Sequence, residues 1–171
     1  FHEQTEFSPK PLIEIGGKTI LWHIMKTYAH YGYQDFVLCL GYKGHMIKEY
    51  FLNYKLLNSD FTMEMREKNR IVVHNSHLEH DWGVTLASTG DAAMTGARVK
   101  RVERYVDDDF MLTYGDGVAD IDVSELYEFH KSHGKIGTVT GVHPSSRFGE
   151  LMANGDEVAR FSEKAQVRDG F

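Results

Sequence analysis

Short apolar strands alternate with amphipathic helices near the start of this chain, and this alternation restricts the fold more than any other feature. Apolar residues at helical spacing predict a first helix: Ile20, Leu21, Ile24, Met25 and Tyr28. The apolar run 35–40 then predicts a fully buried strand of the kind that parallel sheets contain. A second set at helical spacing, from Met46 to Tyr54, follows the glycine-punctuated segment 41–44. Strands and helices in this order predict an α/β fold, with a mostly parallel sheet flanked by helices.

The rest of the chain continues with short strands and two more helices. Strands are predicted from β-branched or alternating apolar residues at 61–65, 71–74, 84–86, 110–114 and 136–142. Helices are predicted at 95–106 and 123–133, the second with Asp122 as its N-cap and Glu125 in a capping box. Asn154 and Gly155 predict the turn of a small C-terminal β-hairpin. Since no linker rich in Pro, Gly or Ser divides the chain, residues 1–171 are predicted to form a single domain.

Charge and cysteine content exclude several classes of protein. The net charge of −6 argues against nucleic-acid binding, because that binding depends on Lys and Arg neutralising phosphates. The single cysteine, Cys39, cannot form an internal disulfide, which favours a reducing compartment. The apolar runs are far shorter than the roughly 20 residues that a membrane-spanning helix needs. We therefore predict a cytoplasmic protein that binds neither nucleic acid nor membrane.

A carboxylate is predicted at the rim of the sheet. Asp116 follows the predicted strand 110–114, and ligands of open parallel sheets bind beyond the carboxyl ends of the strands. The flanking Gly115 and Gly117 leave space for a ligand to approach the backbone. A carboxylate at this place could hold Mg²⁺ against phosphate oxygens. The alternative is an ordinary solvated turn, for which Gly-Asp-Gly is a common composition.

Positive groups that could bind phosphate lie at two other places. Thr89 and Gly90 precede the helix 95–106, whose free N–H groups and dipole favour an anion, and Arg98 could clamp a phosphate. Helix capping, with Arg98 on a solvated face, is the alternative. Lys10 lies between two prolines that restrict where its side chain points, and a fixed lysine suits a triphosphate. An exposed lysine in an extended loop is the alternative.

A further charged pair follows the last predicted strand. Glu163 and Lys164 could meet a sugar hydroxyl and a sugar phosphate, although a surface ion pair is the commoner explanation for such neighbours. The sequence contains no Gly-x-Ser-x-Gly elbow, no His-Glu-x-x-His helix and no Walker lysine loop. Hydrolase and NTPase functions therefore have little support.

The order of these motifs resembles the sugar nucleotidyltransferase family. Pro-Lys-Pro-Leu-Ile-Glu-Ile-Gly-Gly-Lys at 9–18 looks like the region just after the phosphate loop of that family. Further segments resemble its glucose-1-phosphate cytidylyltransferase branch, and they lie at 41–44, 47–51, 89–91, 94–96 and 113–120. The resemblance runs through nearly the whole chain. It implies the Rossmann-like fold of the nucleotide-diphospho-sugar transferases.

The resemblance also implies a reaction and the residues that carry it. CTP and glucose 1-phosphate would give CDP-glucose and pyrophosphate, with Mg²⁺ as the cofactor and a homo-oligomer as the assembly. The implied catalytic residues are Lys10 on the nucleotide phosphates, Arg98 on substrate and Asp116 as the metal ligand. The predicted substrate contacts are Lys10, Thr89, Gly90, Ala93, Arg98, Gly115, Glu163 and Lys164. Ala93 replaces a serine that the family often has, and Ala165 replaces the proline of its Glu-Lys-Pro element.

Two elements of the family are expected outside the printed chain. The resemblance implies a Gly-Gly-x-Gly-Thr-Arg loop before Phe1, and a second magnesium aspartate with the rest of the sugar-binding part after Phe171. We therefore expect the printed chain not to be a complete catalyst. Two alternative functions stay open: the same chemistry with UTP or dTTP, and a non-catalytic nucleotide-sugar-binding domain. The implied pathway is the synthesis of CDP-linked deoxysugars for lipopolysaccharide O-antigen.

Overall fold

The structure is a computed structural model that describes residues 8–66, 70–74, 79, 81–142 and 150–162. The chain divides by packing into two compact units, residues 1–120 and 121–171. The first unit contains the predicted alternation of helices and strands, and the α/β class is confirmed. The single domain at 1–171 stays a prediction.

The first unit contains six strands, three α-helices and two 3₁₀ turns among its described residues. In chain order they are a 3₁₀ turn Lys10–Leu12, β1 (Glu14–Ile15), β2 (Lys18–Thr19), α1 (Ile20–His30), β3 (Asp35–Leu40), α2 (Gly44–Leu57), β4 (Phe61–Glu64), β5 (Arg70–Val73), β6 (Gly83–Ser88), α3 (Thr95–Arg101) and a 3₁₀ turn Glu103–Tyr105. The helices predicted around residues 20–28 and 46–54 are therefore confirmed. So are the strands predicted around 35–40, 61–65, 71–74 and 84–86.

Strands β3 and β6 form the parallel part of the fold. They pair in register from Asp35 with Gly83 to Leu40 with Ser88. The prediction that the run 35–40 is fully buried is wrong, because Leu40 is buried while the other residues of β3 are half-buried or exposed. In the described part of the chain this sheet has two strands, so β3 and β6 are both edge strands, and each has a neighbouring strand on one side only. The other described pairs, β1 with β2 and β4 with β5, are antiparallel.

Helices α1 and α2 pack on β3 through one buried cluster. Leu21 and Met25 of α1 contact Leu40 of β3 and Ile47 of α2. Thr19 starts α1, since its Oγ1 accepts a hydrogen bond of 3.1 Å from the Trp22 amide. Each of these buried apolar side chains contributes on the order of 1.5 to 3 kcal/mol to the free energy of unfolding. The cluster therefore fixes the loop at the carboxyl end of β3 relative to both helices.

Two predicted strands are absent from the described residues. Neither 110–114 nor 136–142 forms a strand, and several of their side chains are exposed, such as Phe110 at 48% and Val139 at 92%. The predictions are wrong because a strand needs a hydrogen-bonded neighbour, and none of the described strands pairs with either segment. The helix predicted at 95–106 is also too long. It ends at Arg101 and continues as the 3₁₀ turn Glu103–Tyr105.

The second unit contains a capped helix and a hairpin. Helix α4 (Val123–His133) begins where Asp122 accepts a hydrogen bond of 3.0 Å from the Glu125 amide, as predicted. Strands β7 (Glu150–Asn154) and β8 (Glu157–Ser162) form the predicted antiparallel hairpin. Its turn is Gly155 and Asp156, one residue later than predicted, because Gly155 takes the positive φ of 62°. None of the helices in the described ranges has the length and apolar character that a bilayer crossing requires.

Candidate active site

Lys10 is held by a rigid turn at the start of the described chain. The amide of Leu12 donates to the carbonyl of Pro9 over 2.9 Å, and the amide of Ile13 donates to the Lys10 carbonyl over 3.1 Å. Prolines on both sides fix the backbone further, and Pro9 has φ −64°. The Lys10 side chain is 65% exposed. The sequence therefore presents a lysine to solvent from a backbone with little freedom to move.

Asp116 lies beside Lys10. Its Oδ2 is 3.7 Å from Lys10 Nζ, and its side chain is 41% exposed. The preceding Gly115 lies against Pro11, because a Cβ at Gly115 would be 3.3 Å from Pro11 Cγ. The two loops that carry the opposite charges are thus packed together. Both side chains are exposed, so a ligand can reach them. Because an exposed pair at this distance contributes little to stability, a ligand could displace the contact at small cost.

An open cleft of about 350 Å³ surrounds this pair. Three loops line it: the Lys10 loop, the Asp116 loop and the loop between β3 and α2. The lining residues are Ser8, Pro9, Lys10, Pro11, Tyr42, Lys43, Gly115 and Asp116. Lys43 and Tyr42 were not predicted as site residues. The signal was available, because the Gly-Tyr-Lys-Gly segment directly follows the apolar strand β3, and ligands bind at the carboxyl ends of such strands.

Arg98 forms a hydrogen-bond network at the carboxyl ends of β3 and β6. Its Nη1 donates to Oγ1 of Thr89 over 2.9 Å, and its Nη2 donates to the carbonyl of Asp91 over 3.1 Å. The Thr89 hydroxyl donates in turn to the Leu40 carbonyl over 2.9 Å, and Thr89 is only 1% exposed. We call Arg98, Thr89 and Leu40 the arginine network. It ties the loop after β6 to the last residue of β3.

The arginine network adjoins the cleft through Gly41. A Cβ at Gly41 would lie 2.5 Å from both terminal nitrogens of Arg98, so the guanidinium rests directly on this glycine. Gly41 is followed at once by Tyr42 and Lys43, which line the cleft. The predicted site residues therefore fall into two groups, Lys10 with Asp116 and Arg98 with Thr89. The loop after β3 contacts both.

Gly90 and Ala93 belong to the loop that the arginine network holds. Gly90 has a φ of 91°, in the left-handed region that favours glycine. The amide of Ala93 donates to the Gly90 carbonyl over 3.4 Å, and Arg101 donates to the Thr89 carbonyl. Contact of these residues with substrate stays a prediction. Glu163 and Lys164, also predicted as substrate contacts, lie outside the described residues.

Cys39 lies in β3 near the arginine network. Burial raises the pKa of the Cys39 thiol above its ordinary value, and the positive charge of Arg98 partly offsets that rise. The thiol is therefore protonated at neutral pH. A protonated thiol is a weak nucleophile, which agrees with Cys39 packing as a small apolar residue.

Asp116 fits one part of a Mg²⁺ site. Mg²⁺ prefers oxygen ligands and is commonly held by one or two carboxylates together with substrate phosphates and water. Over the described ranges, no three side chains among His, Cys, Asp and Glu lie close enough together to hold a metal by themselves. A Mg²⁺ ion at Asp116 would therefore depend on phosphate oxygens supplied by a substrate.

Comparison of the sequence with known proteins identifies the family of this chain. The sequence profile of the nucleotidyl transferase family matches residues 4–169. The chain belongs to this family. The predicted relationship is thereby confirmed, as is the Rossmann-like α/β class in which the parallel strands β3 and β6 lie beside helices.

Several individual proteins are similar in sequence to this chain. The glucose-1-phosphate cytidylyltransferase of Salmonella typhimurium is 52% identical, over 99% of this chain and 68% of its own length. The probable glucose-1-phosphate cytidylyltransferase of Bacillus subtilis is 42% identical, over 95% of this chain and 63% of its own length. The mannose-1-phosphate guanylyltransferase catalytic subunit beta of Xenopus tropicalis is 29% identical, over 93% of this chain and 40% of its own length.

Proposed function

We propose that this protein forms CDP-glucose and pyrophosphate from CTP and α-D-glucose 1-phosphate. The observation that carries the proposal is the 52% identity to the Salmonella typhimurium glucose-1-phosphate cytidylyltransferase across 99% of the chain. The cleft beside Lys10 and Asp116 supports it, because it brings a cation and a carboxylate to one open surface. Such a surface suits a phosphate-bearing substrate that arrives with a divalent ion.

In the proposed reaction a phosphate oxygen of glucose 1-phosphate attacks the α-phosphorus of CTP in line. A phosphorus–oxygen bond forms between them. The bond from the α-phosphorus to the oxygen that bridges to the β-phosphate breaks, and pyrophosphate leaves with its electron pair. The mechanism needs no covalent enzyme intermediate. Its barrier comes mainly from bringing two anionic reactants together, so positioning and positive charge are what the protein must supply.

Lys10 is proposed to bind the nucleotide phosphates. Its backbone is restricted by Pro9 and Pro11, so little backbone freedom is lost when it meets a phosphate. Asp116 beside it is proposed to hold Mg²⁺, which when bound would offset negative charge on the phosphates. The Lys10 ammonium and the Asp116 carboxylate therefore both lie at the cleft before a substrate arrives.

Arg98 is proposed to act on the substrate while it holds the loop after β6. A guanidinium has five N–H donors, and the bonds to Thr89 and Asp91 use two of them. Contact with a phosphate through the other donors is compatible with these bonds. Because the guanidinium also rests on Gly41, we expect its position to set the position of the Tyr42 and Lys43 loop.

Product analysis tests the proposal. The intact natural protein is incubated with Mg²⁺, glucose 1-phosphate and either CTP, UTP, dTTP or GTP, and pyrophosphate and nucleotide sugar are measured. GTP is included because the Xenopus tropicalis relative is a guanylyltransferase. We expect CDP-glucose as the main product. A preference for UTP or dTTP would replace the nucleotide but keep the reaction, and binding of CDP-glucose without turnover of any triphosphate would favour a non-catalytic binding domain.

The assembly and pathway are also proposed from the family resemblance, and the compartment from the single cysteine. We propose a homo-oligomer in the cytoplasm, with CDP-glucose serving the synthesis of CDP-linked deoxysugars for lipopolysaccharide O-antigen. Sedimentation of the intact natural protein tests the first of these statements, and a monomer would contradict it. Deletion of the gene in the source organism tests the last, since loss of O-antigen sugars is expected and an unchanged polysaccharide would contradict it.

A further inference from the structure

Lys43 has an unusual backbone conformation. Its φ is 56° and its ψ is 20°, in the left-handed region, and among the described residues it is the one residue other than glycine with a positive φ. Glycine takes this conformation without a steric cost, whereas lysine does not. Backbone strain of this kind concentrates at functional sites. A lysine where glycine would fit better indicates that the side chain itself has a use.

The Lys43 side chain belongs to the cleft. Lys43 and Tyr42 line it together with Lys10 and Asp116. The Lys43 Nζ lies 5.5 Å from the centroid of the Tyr42 ring, a cation–π distance. Tyr42 is 75% exposed, so the ring forms part of the surface and keeps the ammonium there. The positive end of the 14-residue helix α2 begins at the next residue, Gly44, and adds to the local positive potential.

The packing around Lys43 fixes the position of the loop. Gly44 is buried, and a Cβ at this residue would lie 2.9 Å from Leu40 Cβ, so the chain passes close to β3. On the other side Arg98 rests on Gly41. The segment 41–44 is thus held at both ends. Lys43 presents its charge from a backbone that cannot easily turn away.

We propose that Lys43 binds a phosphate group of a substrate, with Tyr42 as a positioning residue that keeps the ammonium over the cleft. The inference rests on the function proposed above. The cleft holds two lysines, Lys10 and Lys43, against one carboxylate, Asp116, while both proposed substrates carry phosphate. Lys10 faces Asp116 at 3.7 Å, and Lys43 brings a second ammonium group to the same cleft. The phosphate belongs either to the nucleotide or to the sugar phosphate.

Steady-state kinetics of the intact natural protein test the proposal. Lys43→Gly removes the charge and suits the left-handed backbone, so the variant is expected to fold. We expect KM to rise roughly tenfold for the substrate whose phosphate Lys43 binds, the effect of one charge-assisted hydrogen bond, while kcat stays within about twofold. A rise with CTP assigns the nucleotide, and a rise with glucose 1-phosphate assigns the sugar phosphate. Lys43→Arg should recover most of the affinity.

The matched control is Lys55→Ala, which removes an exposed lysine from the last turn of the same helix. It should leave both KM values unchanged. Lys43→Gly with both KM values equal to wild type, while the wild type makes CDP-glucose, would overturn the inference and leave the proposed function intact. A wild-type protein that makes no nucleotide sugar would instead overturn the proposed function.

Substitutions of Tyr42 test whether this residue positions the Lys43 ammonium or has only a structural role. Tyr42→Phe keeps the ring and should leave KM within about twofold of wild type. Tyr42→Leu removes the ring and should raise the same KM as Lys43→Gly, by about threefold, the size of an exposed cation–π contact. Combined with Lys43→Gly it should add nothing further, because the charge that the ring holds is gone. Independent, multiplying effects of the two substitutions would contradict the positioning role.

Discussion

The Lys10 and Asp116 pair and the arginine network differ in exposure and bonding, although both adjoin the loop after β3. Lys10 and Asp116 are 65% and 41% exposed and lie 3.7 Å apart. Thr89, at the centre of the arginine network, is 1% exposed, and its hydroxyl both accepts from Arg98 and donates to Leu40. A loosely paired, exposed charge can exchange its partner for a ligand, whereas the buried Thr89 hydroxyl, bonded to both Arg98 and Leu40, holds the loop after β6 in place. We therefore expect substitutions in the first to change activity and substitutions in the second to change stability as well.

Asp116→Asn should give the largest effect and should act on activity alone. We expect kcat/KM to fall on the order of 100- to 1000-fold, about 3 to 4 kcal/mol, because charge stabilisation of the phosphates is lost. The free energy of unfolding should change by less than about 0.5 kcal/mol, since the group is exposed. Pyrophosphate release and urea denaturation measure the two. Asp120→Asn, an exposed carboxylate of the same loop, should leave both near wild type, and equal losses in the two variants would contradict the assignment.

Thr89→Val should destabilise the protein. The substitution keeps the shape but leaves Arg98 Nη1 without its buried acceptor, at a cost of about 1 to 3 kcal/mol in the free energy of unfolding. Thr89→Ser keeps the hydroxyl and should lose less than half as much. Urea denaturation of the two variants measures the difference. Valine and serine variants of equal stability would show that the hydroxyl does not hold the network.

Gly41→Ala should disturb both regions at once. The new Cβ would lie 2.5 Å from the terminal nitrogens of Arg98, so the guanidinium must move, and we expect a loss of about 1 to 2 kcal/mol in stability and a weaker binding of substrate. Gly96→Ala in α3 is the control, because a Cβ there meets nothing within 4 Å and should stabilise the helix by about 0.5 kcal/mol. Thermal unfolding compares them. A Gly41→Ala variant as stable as Gly96→Ala would contradict the close contact with Arg98.

Alkylation of Cys39 should give the smallest effect. Because burial raises the pKa of the thiol, less thiolate is present at pH 8 than in a free cysteine, and iodoacetamide should react several-fold more slowly. The Arg98 charge lowers that pKa, so Arg98→Gln should slow the reaction further. The rate should rise with pH and should match free cysteine in urea. Faster labelling of the Arg98→Gln variant would show instead that the side chain shields the thiol from reagent.

The helices could be predicted because their signals are local. Thr19 caps α1 and Asp122 caps α4 within a single turn, and the apolar spacing of Leu21 and Met25 identifies the buried face. The strands predicted at 110–114 and 136–142 failed because apolar residues do not specify a hydrogen-bonding neighbour. A strand depends on a partner elsewhere in the chain, which composition does not reveal.

The identity of several site residues could be predicted from the sequence, but their contacts with one another could not. Lys10 between its prolines and Asp116 between its glycines were visible in the sequence, yet nothing local indicated that they face each other. The partners of Arg98 were missed for the same reason, whereas Lys43 was missed although its segment directly follows β3. Contacts between loops follow from packing of the elements that carry them. Motif order and family resemblance indicated that these loops converge, but not which atoms meet.

Nucleotide phosphates are proposed to bind at the cleft formed by Lys10 and Asp116. Titration calorimetry of CTP with Mg²⁺ tests this proposal most directly, with the intact natural protein, Lys10→Ala and the control Lys55→Ala. We expect Kd to rise at least tenfold in Lys10→Ala, about 1.4 kcal/mol or more, and to stay unchanged in Lys55→Ala. Equal CTP affinity in wild type and Lys10→Ala would contradict the claim.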